Sequence, residues 1–203
     1  MGAPKRPFEI GKQYVVRSFS LNFKHVFSLE YLYKKLHEWL IEEGYTKDGT
    51  GDGDDSWMEQ LYLERVGGDG SKQIWIRWRT SKNYANSFFK LYLDIDYHIL
   101  GMKKHEIVAK GTKVGTNKGE VEVFVTAKMA IDPDKTWDKS FIMKNKRLQY
   151  VYLNRIYKQR IEEVENELVR DSARLLGAIK QYFQLESWLP EYAGQSFHPE
   201  KGE

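Results

Sequence analysis

Apolar and polar residues alternate at period two over five stretches of this chain and recur at three- and four-residue steps over two others. Across 13–27, Tyr14, Val16, Phe19, Leu21 and Phe23 stand near period two, which predicts a strand. Ser28 then offers an N-cap, and Leu29, Leu32, Leu36, Trp39 and Leu40 form a helical stripe that ends near Gly44. Residues 46–56 have the composition of a loop. Stretches 58–66 and 73–80 flank Gly67-Gly68-Asp69-Gly70 and predict a hairpin. Stretch 88–100 alternates most cleanly. Residues 104–118 read as a ribbon with a turn at Asn117-Lys118-Gly119, and 120–131 alternates again before Pro133. Over 147–184, Leu153, Tyr157, Ile161, Val164, Leu168, Leu175, Ile179 and Phe183 lie along one stripe and predict one long helix. The expected organisation is a single domain over 1–203, with 1–11 and 188–203 as tails.

Because side chains alternate across a strand, the sheet has two unlike faces. One carries Leu61, Leu63, Ile74, Ile76, Trp78, Phe89, Leu91, Leu93, Ile95, Val121, Val123 and Val125 and is the expected core. The other carries Tyr62, Glu64, Trp75, Arg77, Arg79, Lys90, Tyr92, Asp94, Asp96, His98, Glu120, Glu122 and Phe124. That asymmetry predicts an α+β fold: a twisted antiparallel sheet, with a helix from the N-terminal half and a long C-terminal helix packed on one face. The order of elements is similar to that of helix-grip, lipid-binding-type folds and of other sheet-plus-helix folds; the likeness concerns fold and implies no activity.

Composition narrows the chemistry. The 203 residues include no cysteine, which excludes disulfides, thiolate metal sites and thiol nucleophiles. No apolar run approaches the roughly 18 residues of a membrane span. The opening residues lack the apolar core of a signal peptide, and Arg6 stands where the myristoylation pattern wants Ser or Thr, so the expected location is cytoplasmic. A net charge of +3 is too small to argue for nucleic acid by itself. The aromatic content is high, with six Trp, thirteen Tyr and ten Phe, and large rings favour interfaces and stacking surfaces as well as strands.

Several constellations invite a chemical reading. Asp48-x-Thr50-x-Asp52-Gly53-Asp54-x-Ser56-x-x-Glu59 places oxygen side chains as an EF-hand loop does, but Asp55 occupies the usual aliphatic position and no second loop exists. A metal-free acidic loop is expected. Asp94, Asp96 and His98 share one strand face at roughly 7 Å spacing, yet no phosphate-cradling glycine turn accompanies them. Arg77, Arg79 and Lys90 on neighbouring strands make cross-strand ion pairs the expected explanation. Gly111 to Gly119 does not match a P-loop, and neither a zincin helix nor a nucleophile elbow is present. No catalytic residue, metal or cofactor is expected.

Segment 135–160 sets Lys135, Lys139, Lys144, Lys146, Arg147, Arg155, Lys158 and Arg160 against the single acid Asp138, with aromatic rings among them. Clustered cations suit phosphate backbones and rings suit unpaired bases, so Lys144, Lys146, Arg147, Arg155 and Lys158 are candidate RNA contacts. The leading expectation is a non-enzymatic binding or assembly protein. It would use the sheet face bearing Tyr62, Trp75, Arg77, Arg79, Tyr92 and Phe124, or the long helix, to engage a protein partner. An RNA- or ribosome-associated protein is one alternative, and a carrier with an apolar cavity between sheet and terminal helix is another. An unbroken helix over 147–184 would run roughly 55 Å at 1.5 Å per residue, against a radius of gyration of about 17 Å. It would therefore overhang the sheet or break at Gly177, and an overhanging apolar stripe predicts self-association or a fixed protein contact.

Overall fold

The computed structural model describes residues 7–47, 58–84, 88–109, 112–135 and 145–183. Strand β1 (Gln13–Phe27) is followed by α1 (Leu29–Glu42), β2 (Glu59–Val66), β3 (Lys72–Tyr84), β4 (Phe89–Ala109) and β5 (Thr112–Ile131). Helix α2 (Lys146–Val151), a π-helical turn (Tyr152–Ile156) and α3 (Lys158–Tyr182) complete the order. The five strands form one antiparallel sheet in the order β1-β5-β4-β3-β2, and α1 and α3 lie together on one face of it. This is the α+β architecture that the alternation predicts.

The inner, helix-bearing face is built from the expected strand positions. Ile74, Ile76 and Trp78 of β3, Phe89, Leu91, Leu93 and Ile95 of β4, and Val121, Val123 and Val125 of β5 are all buried. Helix α1 starts where Ser28 Oγ accepts from Tyr31 N at 3.3 Å, and it buries Leu32, Leu36 and Leu40. It ends in a Schellman turn, with Gly44 at φ +78, Gly44 N donating to Ile41 O at 2.9 Å and Tyr45 N to Leu40 O at 2.8 Å. That turn drives Tyr45 into the core, and Thr46 then pairs with Ser81 of β3.

Four expectations are corrected. The first concerns β2. A bulge between Glu59 and Leu61 inverts every side chain after it, so Tyr62 pairs with Ile76 on the inner face. Leu61 and Leu63 pair with Arg77 and Trp75 on the outer face, 36% and 40% exposed, instead of joining the core. Second, Asn117-Lys118-Gly119 is not a turn. These residues pair within β5, and Gly119 sits opposite a β4 bulge between Leu100 and Lys103, where Gly101 has φ +58. A Cβ at Gly119 would lie 3.0 Å from Leu100 O and from Met102 Cα, so close backbone approach explains this glycine.

Third, the long helix is not continuous, and it does not break at Gly177, which sits within α3 with open space around it. The interruption is the π turn, where Tyr157 N donates to Tyr152 O at 2.7 Å. Tyr157 there stacks on Tyr152 and on Phe89 and meets Phe88 edge-on. The stripe through Leu153, Ile161, Val164, Leu168, Leu175, Ile179 and Phe183 is buried against its own sheet, so among the described residues no overhanging apolar stripe supports self-association. Fourth, the end of the expected N-terminal tail is docked. Phe8 is buried, its N–H donates to Asn154 Oδ1 at 2.9 Å and its carbonyl accepts from Asn154 Nδ2 at 3.2 Å.

Leu93 lies at the centre of the inner face with no solvent exposure. Leu93→Ala is expected to lower the unfolding free energy by about 2–5 kcal/mol in urea denaturation. A loss below about 1 kcal/mol would be incompatible with this register.

Candidate functional site

The outer face carries no described helix, and its side chains meet in rows set by strand register. One row runs Leu63, Trp75, His98, Glu122, Asn22 and the next Leu61, Arg77, Asp96, Phe124, Ser20. Of the expected partner-binding residues, Trp75, Arg77, Arg79, Tyr92 and Phe124 share this face, and Tyr62 does not. Leu61 and Leu63 take its place beside them.

Polar groups here are largely engaged with one another. Arg79 Nη1 donates to Asp96 Oδ1 at 2.7 Å, and its Nε lies 3.9 Å from Asp94 Oδ1. Lys128 Nζ reaches Asp94 Oδ2 from β5 at 2.5 Å. His98 stacks on Trp75 with ring centroids 5.2 Å apart, lies 3.1 Å from Gln73 Nε2, and faces Glu122 Oε2 at 3.4 Å. Arg65 covers the Trp75 ring at 5.3 Å. Asp94, Asp96 and His98 therefore sit in cross-strand pairs of mixed charge. Among the described residues no group of three or more His, Asp or Glu is placed to hold a metal ion. Arg77 is exposed and has no ion-pair partner among the described residues, and Phe124, 43% exposed, lies in the same row on the far side of Asp96.

The basic candidates gather around the π turn. Lys146 and Arg147 on α2, Arg155 on the turn and Lys158 at the start of α3 are all exposed. Lys158 lies 3.8 Å from Glu162, and Arg147 N is engaged by Asn145 Oδ1 in capping α2. Leu148, Tyr150, Val151 and Ile156 are exposed among them. Lys144 and the acidic segment 48–56 lie outside the described residues.

No family model and no curated protein matches this chain.

Two polar clusters on the inner face went unread in the sequence. In the first, the fully buried Asp171 of α3 accepts from Tyr45 Oη at 2.7 Å and from Arg174 Nη2 at 2.6 Å, with Lys82 Nζ at 3.8 Å. Burial, and then the Asp171 carboxylate beside it, push the Tyr45 phenol far above its ordinary range. The legible signal was an acid at position 171, in step with the apolar stripe between Leu168 and Leu175.

The second cluster lies beneath α1. Tyr33 meets Trp78 edge-on at 4.7 Å, Trp78 meets Tyr97 edge-on at 5.1 Å, and Tyr33 Oη donates to Glu59 Oε2 at 3.1 Å. Among the described residues the buried Tyr97 Oη has no hydrogen-bond partner. Burial, reinforced by the charge of Glu59, pushes the Tyr33 phenol up to about 12, and burial, with Tyr33 nearby, raises Tyr97 strongly. A phenol raised in the folded state keeps its proton while the unfolded chain loses it. Its stabilising contribution is full below pH 10 and falls as the pH climbs toward 12. Alkaline titration followed by tyrosinate absorbance and by circular dichroism should show these tyrosines ionising only with unfolding. Complete tyrosine ionisation near pH 10 with the fold intact would contradict this placement.

Proposed function

We propose that this chain is a non-catalytic protein that binds a protein partner through the outer face of its sheet. The observation that carries the reading is the one-sided arrangement of helices, which leaves Leu61, Leu63, Trp75, Arg77 and Phe124 on a face that no described helix covers. Exposed apolar residues beside an arginine and a tryptophan are the composition of interface hot spots. The charges around them are mixed, with Arg79, Lys90 and Lys128 interleaved with Asp94, Asp96, Glu120 and Glu122. A phosphate backbone would be repelled by half of that pattern, whereas a protein surface of complementary mixed charge would not. No helix among the described residues is long and apolar enough to cross a membrane, and a cytoplasmic setting agrees with the absence of cysteine.

A second reading rests on a separate observation. Lys146, Arg147 and Arg155 are exposed, have no acidic partner among the described residues, and lie near the exposed Tyr150 in the chain. That is a surface suited to RNA through phosphates and one stacked base.

One experiment separates the two. The tagged protein is purified from its own cells as wild type, as Leu61→Ser with Phe124→Ser, and as Lys146→Glu with Arg147→Glu, and bound protein and RNA are quantified. Both pairs replace exposed residues and should change stability by about 1 kcal/mol or less. The expected result is a stoichiometric protein that the sheet-face variant loses and the charge-reversed variant keeps. RNA lost steeply by the charge-reversed variant, with no protein dependent on Leu61 and Phe124, would replace the first reading with the second.

A further inference from the structure

The two edges of the sheet are built differently. β1 pairs only with β5 and β2 only with β3, so each has one side along which no described strand stands. The β1 edge is blunted. A bulge interrupts it between Val15 and Arg17, and Arg17, Lys24 and His25 lie along it. Arg17 Nη1 also lies 3.5 Å from Val169 O and Ser172 Oγ of α3. On β2 the bulge lies at the start, between Glu59 and Leu61, and the run from Leu61 to Val66 holds no lysine or proline. Its single cation, Arg65, lies over the Trp75 ring. Leu61, Tyr62, Leu63 and Val66 are all exposed, Tyr62 at 50% and Val66 at 64%. A regular edge of that composition is a template for another strand.

The hydrogen-bond phase fixes which residues such a strand would meet. Gly67 N donates to Ser71 O at 2.8 Å, and Val66 opposite Lys72, Leu63 opposite Trp75 and Leu61 opposite Arg77 continue the same register. Hydrogen-bonded pairs alternate along an antiparallel ladder. Leu61, Leu63 and Arg65 therefore direct their backbone groups to β3, and Tyr62, Glu64 and Val66 direct theirs outward. On the inner side Tyr62 borders an open, apolar hollow lined also by Leu29, Tyr33 and Ile76, which leaves room for incoming side chains.

We propose that the strand received here is β2 of a second copy of this chain, laid antiparallel about a two-fold axis at Leu63. Opposed side chains share a face, so the axis must set one residue opposite its own copy. At Tyr62 it would draw the bulge into the ladder, at Glu64 it would oppose two carboxylates, and at Arg65 two guanidiniums. At Leu63 it does none of these. Leu63 meets its own copy on the outer face, Arg65 meets Leu61, and Tyr62 meets Glu64 in hydrogen-bonded pairs on either side of the axis. The last match is chemically apt, since within one chain the Tyr62 hydroxyl already donates to Glu64 Oε2 at 3.1 Å. The two sheets then run on as one, with the helices of both copies on the same side and the two outer faces side by side. The association uses an element other than the terminal helix, and it does not depend on a partner docking on the outer face.

The test acts on the axis. Full-length wild type, Leu63→Lys and Leu63→Glu are followed by sedimentation velocity, each alone and the two variants as an equimolar mixture. Leu63 is exposed, so both variants should keep the circular dichroism spectrum of wild type. The expected result is a wild-type dimer and two monomeric variants, because like charges meet on the axis. Mixing the variants should restore a dimer, because opposite charges then meet there. By hydrogen exchange, the amides of Tyr62 and Glu64 should be protected in wild type and exchange faster in either variant alone. A monomeric wild type, a variant that dimerises alone, a mixture that stays monomeric, or Tyr62 and Glu64 amides that exchange alike in all three proteins would each overturn the proposal.

Discussion

The carboxylate of Asp171 has no access to solvent, and the placement of both helices depends on the groups that make its burial tolerable. An isolated buried carboxylate costs several kcal/mol, and the cost is offset only where cations and donors close around it. Here the donors come from three elements: Tyr45 just beyond α1, Lys82 on β3 and Arg174 one turn along α3. Arg174 also reaches Glu43 at 2.8 Å. Tyr45 arrives only because Gly44 closes α1 in a left-handed turn, and the Thr46–Ser81 bridge then holds that turn to β3. At the other end, the Tyr182 hydroxyl donates to Ser28 O at 2.7 Å and accepts from Ser28 N at 3.0 Å. Tied at both ends, α1 and α3 lie side by side on one face, and neither is available to cover the other.

The remainder of the surface follows from that constraint. With both apolar stripes directed inward, the outer side chains must satisfy themselves, and Arg79, Asp94, Asp96, Lys128, His98 and Glu122 do so across strands. Exposed pairs of this kind add little stability, typically below about 1 kcal/mol each. Their effect is to hold side chains in fixed positions around Trp75, Arg77 and Phe124, so a partner meeting this face would lose little conformational freedom in ordering it.

The sequence was most readable where one periodicity ran undisturbed. Alternation through β3, β4 and β5 identified the buried side chains because no bulge intervenes between Ile74 and Phe89's partners on the core rows. Pattern reading failed where one inserted residue changed parity. In β2 the run Leu61-Tyr62-Leu63 is apolar on both sides, so only the pairing register, set by the bulge, decides which residues face α1. Glycine misled twice for related reasons: Gly119 marks a close strand approach in place of a turn, and Gly177 is accommodated within a helix that breaks elsewhere. Five of the six expected outer-face residues stand together, since four share the clean strands β3 and β4 and Phe124 shares β5.

Side-chain footprinting would show whether the outer sheet face is the surface on which a partner docks. Hydroxyl radicals would be generated on the isolated protein and on the same protein in extract of its own cells, and oxidation read residue by residue. Trp75 and Phe124 on the outer face are predicted to lose reactivity in the extract, while the exposed Tyr31 and Ile156 on the helical side keep theirs. Unchanged oxidation of Trp75 and Phe124, with protection confined to Tyr150 and Ile156, would contradict the account and move the working surface to the basic turn.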